Sequence, residues 1–134
     1  MDDYNDSAAR HLYDADVLLG QTPQRLANAS HLFGVSAECA LKAIARQFHP
    51  NVRLGGRDGH IPNLFTELLN VSPAIAGNAA LARSIGALQS NFASWQISER
   101  YVSQGAFAAN RVLQEQAGAK AAHLLMQNCL GGLI

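Results

Sequence analysis

One apolar stripe constrains this chain more than any other feature. Placed on a wheel that advances 100° per residue, Leu26, Ala29, Phe33, Ala37, Ala40, Leu41, Ile44 and Phe48 fall within about 60° of one line. His31, Glu38, Lys42, Arg46 and His49 collect on the far side, with Val35 among them. Thr22-Pro23 is a start signal, a capping hydroxyl followed by a proline at the first helical position, where its missing N–H costs nothing. Pro50 ends the run, because the residue before a proline resists the helical conformation. The pattern therefore predicts a helix from Pro23 to Phe48 that carries a core stripe on one side and a row of charge on the other. Other elements must pack on the first side; any ligand would meet the second.

The flanking segments read as partners for that helix. Asp6 and Ser7 are N-cap residues ahead of Ala8, Leu12, Ala15 and Leu19, which repeat at helical spacing until Gly20. Arg10, Asp14 and Val17 form the outer face. Residues 51–60 lose all periodicity and supply three glycines, two arginines and one aspartate, which predicts a loop. Ile61, Leu64, Phe65, Leu68 and Leu69 predict a short packing helix. Ser72-Pro73 opens a fourth helix with a seam of Leu81, Ile85, Leu88, Phe92 and Trp95. After a connector over residues 96–105, Ala106, Ala109, Leu113, Ala117, Ala121 and Leu124 begin a last, alanine-rich helix that Gly131-Gly132 ends. Small residues let helix axes approach, so this helix is expected at the centre or at a dimer contact.

Alanine is abundant, Val, Ile and Thr are sparse, and no segment alternates over a strand's length, so the class expected is all-α. A chain of 134 residues is one domain, residues 1–134, with enough length to bury a core. Ten basic and ten acidic side chains cancel, so no global field draws the protein to nucleic acid or to an anionic membrane. Phosphate binding would have to be local. Cys39 and Cys129 match no metal or redox spacing and read as core thiols. The acidic start lacks a signal-peptide pattern and no run of 18 apolar residues occurs, so no membrane role and a cytoplasmic location are expected.

Three places could carry chemistry. Glu38, Lys42 and Arg46 form the polar row, and Glu38 precedes Lys42 by four, an orientation that supports a surface ion pair of about 0.2–0.5 kcal/mol. Such a row is an ordinary solvated face unless the loop meets it. In that loop Arg53 and Arg57 offer planar donors for phosphate oxygens, glycines let N–H groups converge, and His60 stands just before the third helix. The loop lacks the Lys-Ser/Thr ending of a P-loop and equally reads as a connector, with His60 a capping or packing residue. Trp95, Glu99, Arg100 and Tyr101 make a patch suited to stacking a base and pairing a phosphate, or else two core anchors with Arg100 bonded to Glu99 or Glu38. The histidines at 11, 31, 49, 60 and 123 form no i, i+4 pair, so neither a metal site nor a cofactor is expected.

Ala37-Glu38-Cys-Ala-Leu-Lys42-Ala, then His60-Ile-Pro-Asn-Leu64, then Trp95 and Arg100-Tyr101 resemble the order and spacing of bacterial HEPN-domain proteins over residues 7–130. The resemblance implies an up-and-down bundle of four main helices plus a short one, a homodimer, and a nucleotidyltransferase partner in a toxin–antitoxin or defence pair. Many HEPN proteins are metal-independent RNases with an arginine and, with four to six residues between them, a histidine near the start of a late helix. Arg53 and His60 satisfy that spacing in the wrong place, and Arg100 has no histidine before His123. The resemblance thus implies the non-enzymatic branch, with Glu38, Lys42, His60, Arg100 and Tyr101 carried over. In the expected cleft Lys42, Arg46 and Arg100 meet the phosphate of a nucleotide or RNA, and Trp95 or Tyr101 stacks a base. The alternatives are an endoribonuclease using Arg53 and His60, and a pure dimerisation or adaptor module.

Overall fold

The computed structural model describes residues 2–48 and 54–132, and all regular structure among them is helical. Three long helices make the frame: α1 over Tyr4–Leu19, α2 over Leu26–Phe48 and α6 over Ala109–Leu130. Between α2 and α6 lie α3 (Asn63–Thr66), which continues as a π turn over Glu67–Val71, then α4 (Pro73–Ala76) and α5 (Ala79–Leu88). Two 3₁₀ turns, Ile97–Tyr101 and Gln104–Ala106, form the connector that leads into α6. No helix among the described residues is long and apolar enough to cross a membrane.

Centrality falls to α2, which packs on both α1 and α6. Its stripe is buried as expected at Ala29, Phe33, Ala37, Ala40, Leu41 and Ile44, with Leu26 and Phe48 half-buried. Its other side is covered too, at Ser30, Ser36, Glu38, Cys39, Ala43 and Ala45. That side was expected to be polar surface. Trp95 lies on it near Ser30 and Gly34, the loop meets it at Glu38 through His60 and Ile61, and the first turn of α1 covers Arg46, so His31, Lys42 and Arg46 are half-buried rather than open.

Boundaries shift for local reasons. Asp3, not Asp6 or Ser7, caps α1, its Oδ1 accepting from the Asp6 N–H at 2.9 Å. The second helix starts at Leu26 rather than Pro23; Arg25 N–H bonds back to the Leu18 carbonyl at 3.1 Å, so residues 22–25 serve the turn between helices. The fourth predicted helix is two, because Asn78 accepts from the Leu81 N–H at 3.1 Å and begins α5 afresh after Gly77. Its seam of Leu81, Ile85, Leu88, Phe92 and Trp95 is buried throughout.

The largest correction concerns α6. Its buried residues are Val112, Glu115, Gly118, Ala119, Ala122, Leu125, Met126 and Cys129. Ala106, Ala109, Leu113, Ala117, Ala121 and Leu124, the strip expected at the centre of the bundle or at a dimer contact, are exposed within this chain. Gly118 sets this phase. A Cβ there would stand 2.6 Å from Asn91 Cβ and from Phe92 Cε2, so only glycine lets the turn after α5 lie against α6.

Candidate functional site on the polar side of the second helix

Successive turns of α2 offer four different environments. At its N-terminal end Ser30 Oγ donates to Glu115 Oε1 at 2.6 Å, and Glu115 Oε2 accepts from Arg111 Nε at 3.1 Å. The same guanidinium grips Glu99 with two bonds of 2.9 and 2.6 Å and lies 4.9 Å over the Phe107 ring. Burial raises the pKa of Glu115, against the opposing pull of Ser30 and Arg111. Burial acts the same way on Glu99, but the bonds and charge of Arg111 together with the Gln96 N–H outweigh it and hold that carboxyl below its ordinary value. This chain of polar groups ties α2, α6 and the connector together.

One turn along, Trp95 is buried with its indole N–H donating to the Ser30 carbonyl at 2.8 Å. Gly34 makes room for it: a Cβ at Gly34 would overlap the indole ring. His31 stacks on Trp95, with centroids 6.4 Å apart and planes at 19°. Among the described residues its Nδ1 is buried without a partner, as is that of His11. Burial first, then the charges of Arg100 and His11, lower the pKa of His31.

Glu38 marks the third environment. Its carboxylate accepts the Ile61 N–H at 2.8 Å, and His60 Nδ1 lies 3.1 and 3.2 Å from its two oxygens. Opposite a carboxylate that nitrogen carries the proton, which leaves Nε2 as the lone-pair nitrogen of the neutral ring. The side chain of His60 is 38% exposed and that of Glu38 only 3%. Burial raises the Glu38 pKa, while Ile61 and His60 oppose it.

Farther on, Lys42 and Arg46 turn toward the first residues of the chain. Their cations stand 5.7 and 4.5 Å from the Tyr4 ring centre, and Arg46 donates to the Asp2 carbonyl at 2.9 Å. An open pocket of about 490 Å³ lies there, lined by Tyr4, Ala43, Arg46 and Leu130 among others. Lys42 also reaches the loop, its Nζ 3.4 Å from where a Gly59 Cβ would be.

Glu38 and His60 thus meet, and Lys42 approaches the loop beside them. The expected Glu38–Lys42 ion pair is absent among the described residues, because the loop occupies the Glu38 carboxylate. Arg100 bonds to neither Glu99 nor Glu38: Glu99 is taken by Arg111. Arg100 instead lies 4.9 Å over the ring of Tyr101, which is 80% exposed. Trp95, enclosed on α2, cannot receive a base without unpacking the core; of the two residues expected to stack one, only Tyr101 presents an open ring. His31, which lines a small pocket together with Arg100, lies eleven residues before Lys42, roughly 16 Å along the axis. Lys42 and Arg46 therefore do not share one phosphate-sized cleft with Arg100. Arg53 and His49 lie outside the described residues.

Sequence reasoning missed Ser30, Arg111, Glu115 and Tyr4. The i, i+4 spacing of Arg111 and Glu115 was a usable signal; the meeting with Ser30 and Glu99 was not, since it depends on tertiary packing. Both cysteines are buried, and burial pushes the Cys39 thiol up to about 11, which leaves it a poor nucleophile. Among the described residues no three His, Cys, Asp or Glu side chains gather to hold a metal. No protein-family model, curated protein or solved structure matches the chain.

Proposed function

We propose that this protein is a non-enzymatic, HEPN-like binding module whose ligand is a nucleotide or a single-stranded stretch of RNA. On this reading α1, α2, α5 and α6 are the four main helices of the bundle, α3 is the short fifth, and the protein acts in the cytoplasm beside a nucleotidyltransferase partner in a toxin–antitoxin or defence pair. The observation that supports it is the Arg100–Tyr101 couple. A guanidinium rests on an exposed aromatic ring, and neither side chain is spent on a hydrogen bond or ion pair among the described residues. Such a couple pairs a phosphate and stacks a base with one motion. Its turn is held from behind by Arg111 and Glu99, so the couple is presented on an anchored segment.

Titration of ATP, GTP and short RNA tests the reading. Tyr101→Ala and Arg100→Ala are each expected to weaken binding about tenfold or more, in line with about 1–3 kcal/mol per stacked base. No binding by the wild type, or equal affinity in all three proteins, removes it.

A specific observation favours a second reading. A buried carboxylate that orients a part-exposed imidazole is the geometry of a positioned general base, and Glu38 and His60 have it. The corresponding function is a metal-independent endoribonuclease, with Arg53 as the expected second residue. Expression toxicity that is abolished by His60→Ala supports it; toxicity that survives the change removes it.

A further inference from the structure

Between the connector and the N-terminal half of α2 lies a small enclosed pocket lined by Ser30, His31, Trp95, Glu99, Arg100 and Phe107 among others. Ser30, Trp95 and Glu99 are already matched. The Ser30 hydroxyl bonds to Glu115, the Ser30 carbonyl accepts the Trp95 indole N–H, and both oxygens of Glu99 are held by Arg111. Two groups are left over. Among the described residues Arg100 makes no hydrogen bond or ion pair, and His31 Nδ1 is buried with no partner. One of them is a cation, the other can become one, and the only carboxylate in the pocket wall is taken. What the pocket lacks is an anion.

We infer that His31 is a second anion-binding residue of the Arg100–Tyr101 site and takes a proton from solvent as a phosphate group settles beside Arg100. The inference rests on the reading of Arg100 and Tyr101 as a nucleotide or RNA contact, and adds to it a proton-linked residue behind the exposed couple. Arg100 is the shared wall. It rests on the open Tyr101 ring on one side and lines the pocket with His31 on the other. Without an anion, a charged His31 would share the pocket with a second cation in surroundings where burial strengthens the repulsion. The ring therefore stays neutral. A phosphate on Arg100 reverses the local field and favours the imidazolium form. By linkage, a ligand that strengthens proton binding at His31 is itself bound more tightly once the proton is there.

The groups around His31 agree with this sign. From α1 comes His11, whose Nδ1 is likewise buried without a partner among the described residues, with Arg10 and Asp14 acting on it in opposite directions. From the connector come Arg100 and Glu99, and from α6 come Arg111, which holds Glu99, and Glu115, which holds Ser30. Neither carboxylate is free to serve as counter-ion to His31. Burial first, then Arg100 and His11, keep its pKa below the ordinary histidine value, so the ring is neutral at neutral pH until an anion arrives.

ATP and a short uridine RNA, each titrated into the wild type and His31→Gln at about pH 7.5 and about pH 5.5, test the link on either side of the ordinary histidine value. Glutamine keeps a neutral polar side chain there but cannot take the proton. The ratio of the two proteins' dissociation constants at each pH cancels the titration of the probe itself. It is expected near one at the higher pH and about fivefold or more in favour of the wild type at the lower. A ratio that does not change with pH, while binding persists, overturns the role of His31 and leaves the Arg100–Tyr101 reading standing. If the wild type binds neither probe, that reading falls and this inference with it. Proton NMR of the wild type gives the same answer without a variant. The His31 ring should titrate at higher pH when the RNA saturates the protein; a midpoint that the RNA leaves in place overturns the link.

Discussion

The two halves of α2 solve the same problem in opposite ways. Each must place polar groups on a helix that is covered nearly all round. The N-terminal half, from Ser30 to Gly34, buries them beside Trp95 and ties Ser30 to fixed partners on α6 and the connector, while His31 Nδ1 is enclosed with no such partner among the described residues. The C-terminal half, from Glu38 to Arg46, meets its polar groups with a loop and with the first turn of the chain. One half is stability held in a closed network, the other is chemistry left partly open. Substitutions should therefore cost most in the first half and reveal ligands, if anywhere, around the second half or at the outer rim of the first.

The sharpest test of the closed network is Glu115→Ala. It strands Ser30 Oγ and leaves Arg111 with Glu99 and the Ser94 carbonyl, so a loss of about 3 kcal/mol is expected, typical of breaking a buried ion pair. Urea unfolding followed by the fluorescence of Trp95 measures it. If the loss is under about 1 kcal/mol, the network behaves as surface and the contrast between the halves fails. Glu115→Gln should recover part of the loss, because an amide still accepts from Ser30 without a buried charge.

Next in size is Gly34→Ala. The added methyl meets the indole ring, and overpacking of this kind costs about 1–3 kcal/mol. Gly86 provides the control: it is helical on α5 with nothing near its missing Cβ, so Gly86→Ala should stabilise by about 0.5–1 kcal/mol. A neutral Gly34→Ala would show that Trp95 can move and that the N-terminal half is not closed.

These positions show what the chain's pattern can and cannot disclose. Periodicity found the stripe of α2 and the seam from Leu81 to Trp95, since both are long runs of large apolar residues with no competing phase. It failed on α6, where two strips of similar spacing compete. The buried strip, Val112, Glu115, Gly118, Ala119, Ala122, Leu125, Met126 and Cys129, is interrupted by a glutamate and a glycine, whereas the exposed one carries Leu113 and Leu124 among alanines with no polar break. Hydrophobicity alone chooses the second. What decides for the first is Gly118 beside Phe92 and the partners waiting for Glu115, and neither is a local property. The candidate site was half legible for the same reason. Glu38 and His60 stood out as residues, but their pairing, and the diversion of Lys42 and Arg46 to Tyr4, required the loop and the first turn to be in place.

A smaller effect separates the halves by pH. His31 has its pKa lowered by burial first, then by Arg100 and His11; His11 is lowered by burial and Arg10, with Asp14 opposing. A histidine with a lowered native pKa binds fewer protons folded than unfolded. Its contribution is therefore complete above about pH 6.5, the unfolded value, and is lost as pH falls from there through the native value. Stability measured between neutral and mildly acid pH should decline in the wild type and decline less in His31→Gln. Equal slopes would mean that the ring next to Trp95 is not where the acid sensitivity resides.

The smallest expected effect belongs to the open half. Tyr4→Ala removes the ring beneath Lys42 and Arg46, and an exposed cation–π contact is worth about 0.5–1 kcal/mol. Arg46 keeps its bond to the Asp2 carbonyl only if the first turn stays docked, so Tyr4→Leu, which retains packing without the ring electrons, separates the two contributions. Stability near wild type in Tyr4→Leu with a modest loss in Tyr4→Ala would mean that Tyr4 acts through packing. Equal losses would mean that the cations rest on the ring itself. Either result stays well below the cost at Glu115 if the C-terminal half is the lightly held one. A loss as large as that of Glu115→Ala would make the first turn of α1 a structural clasp on α2, and the distinction between a closed and an open half would no longer describe this helix.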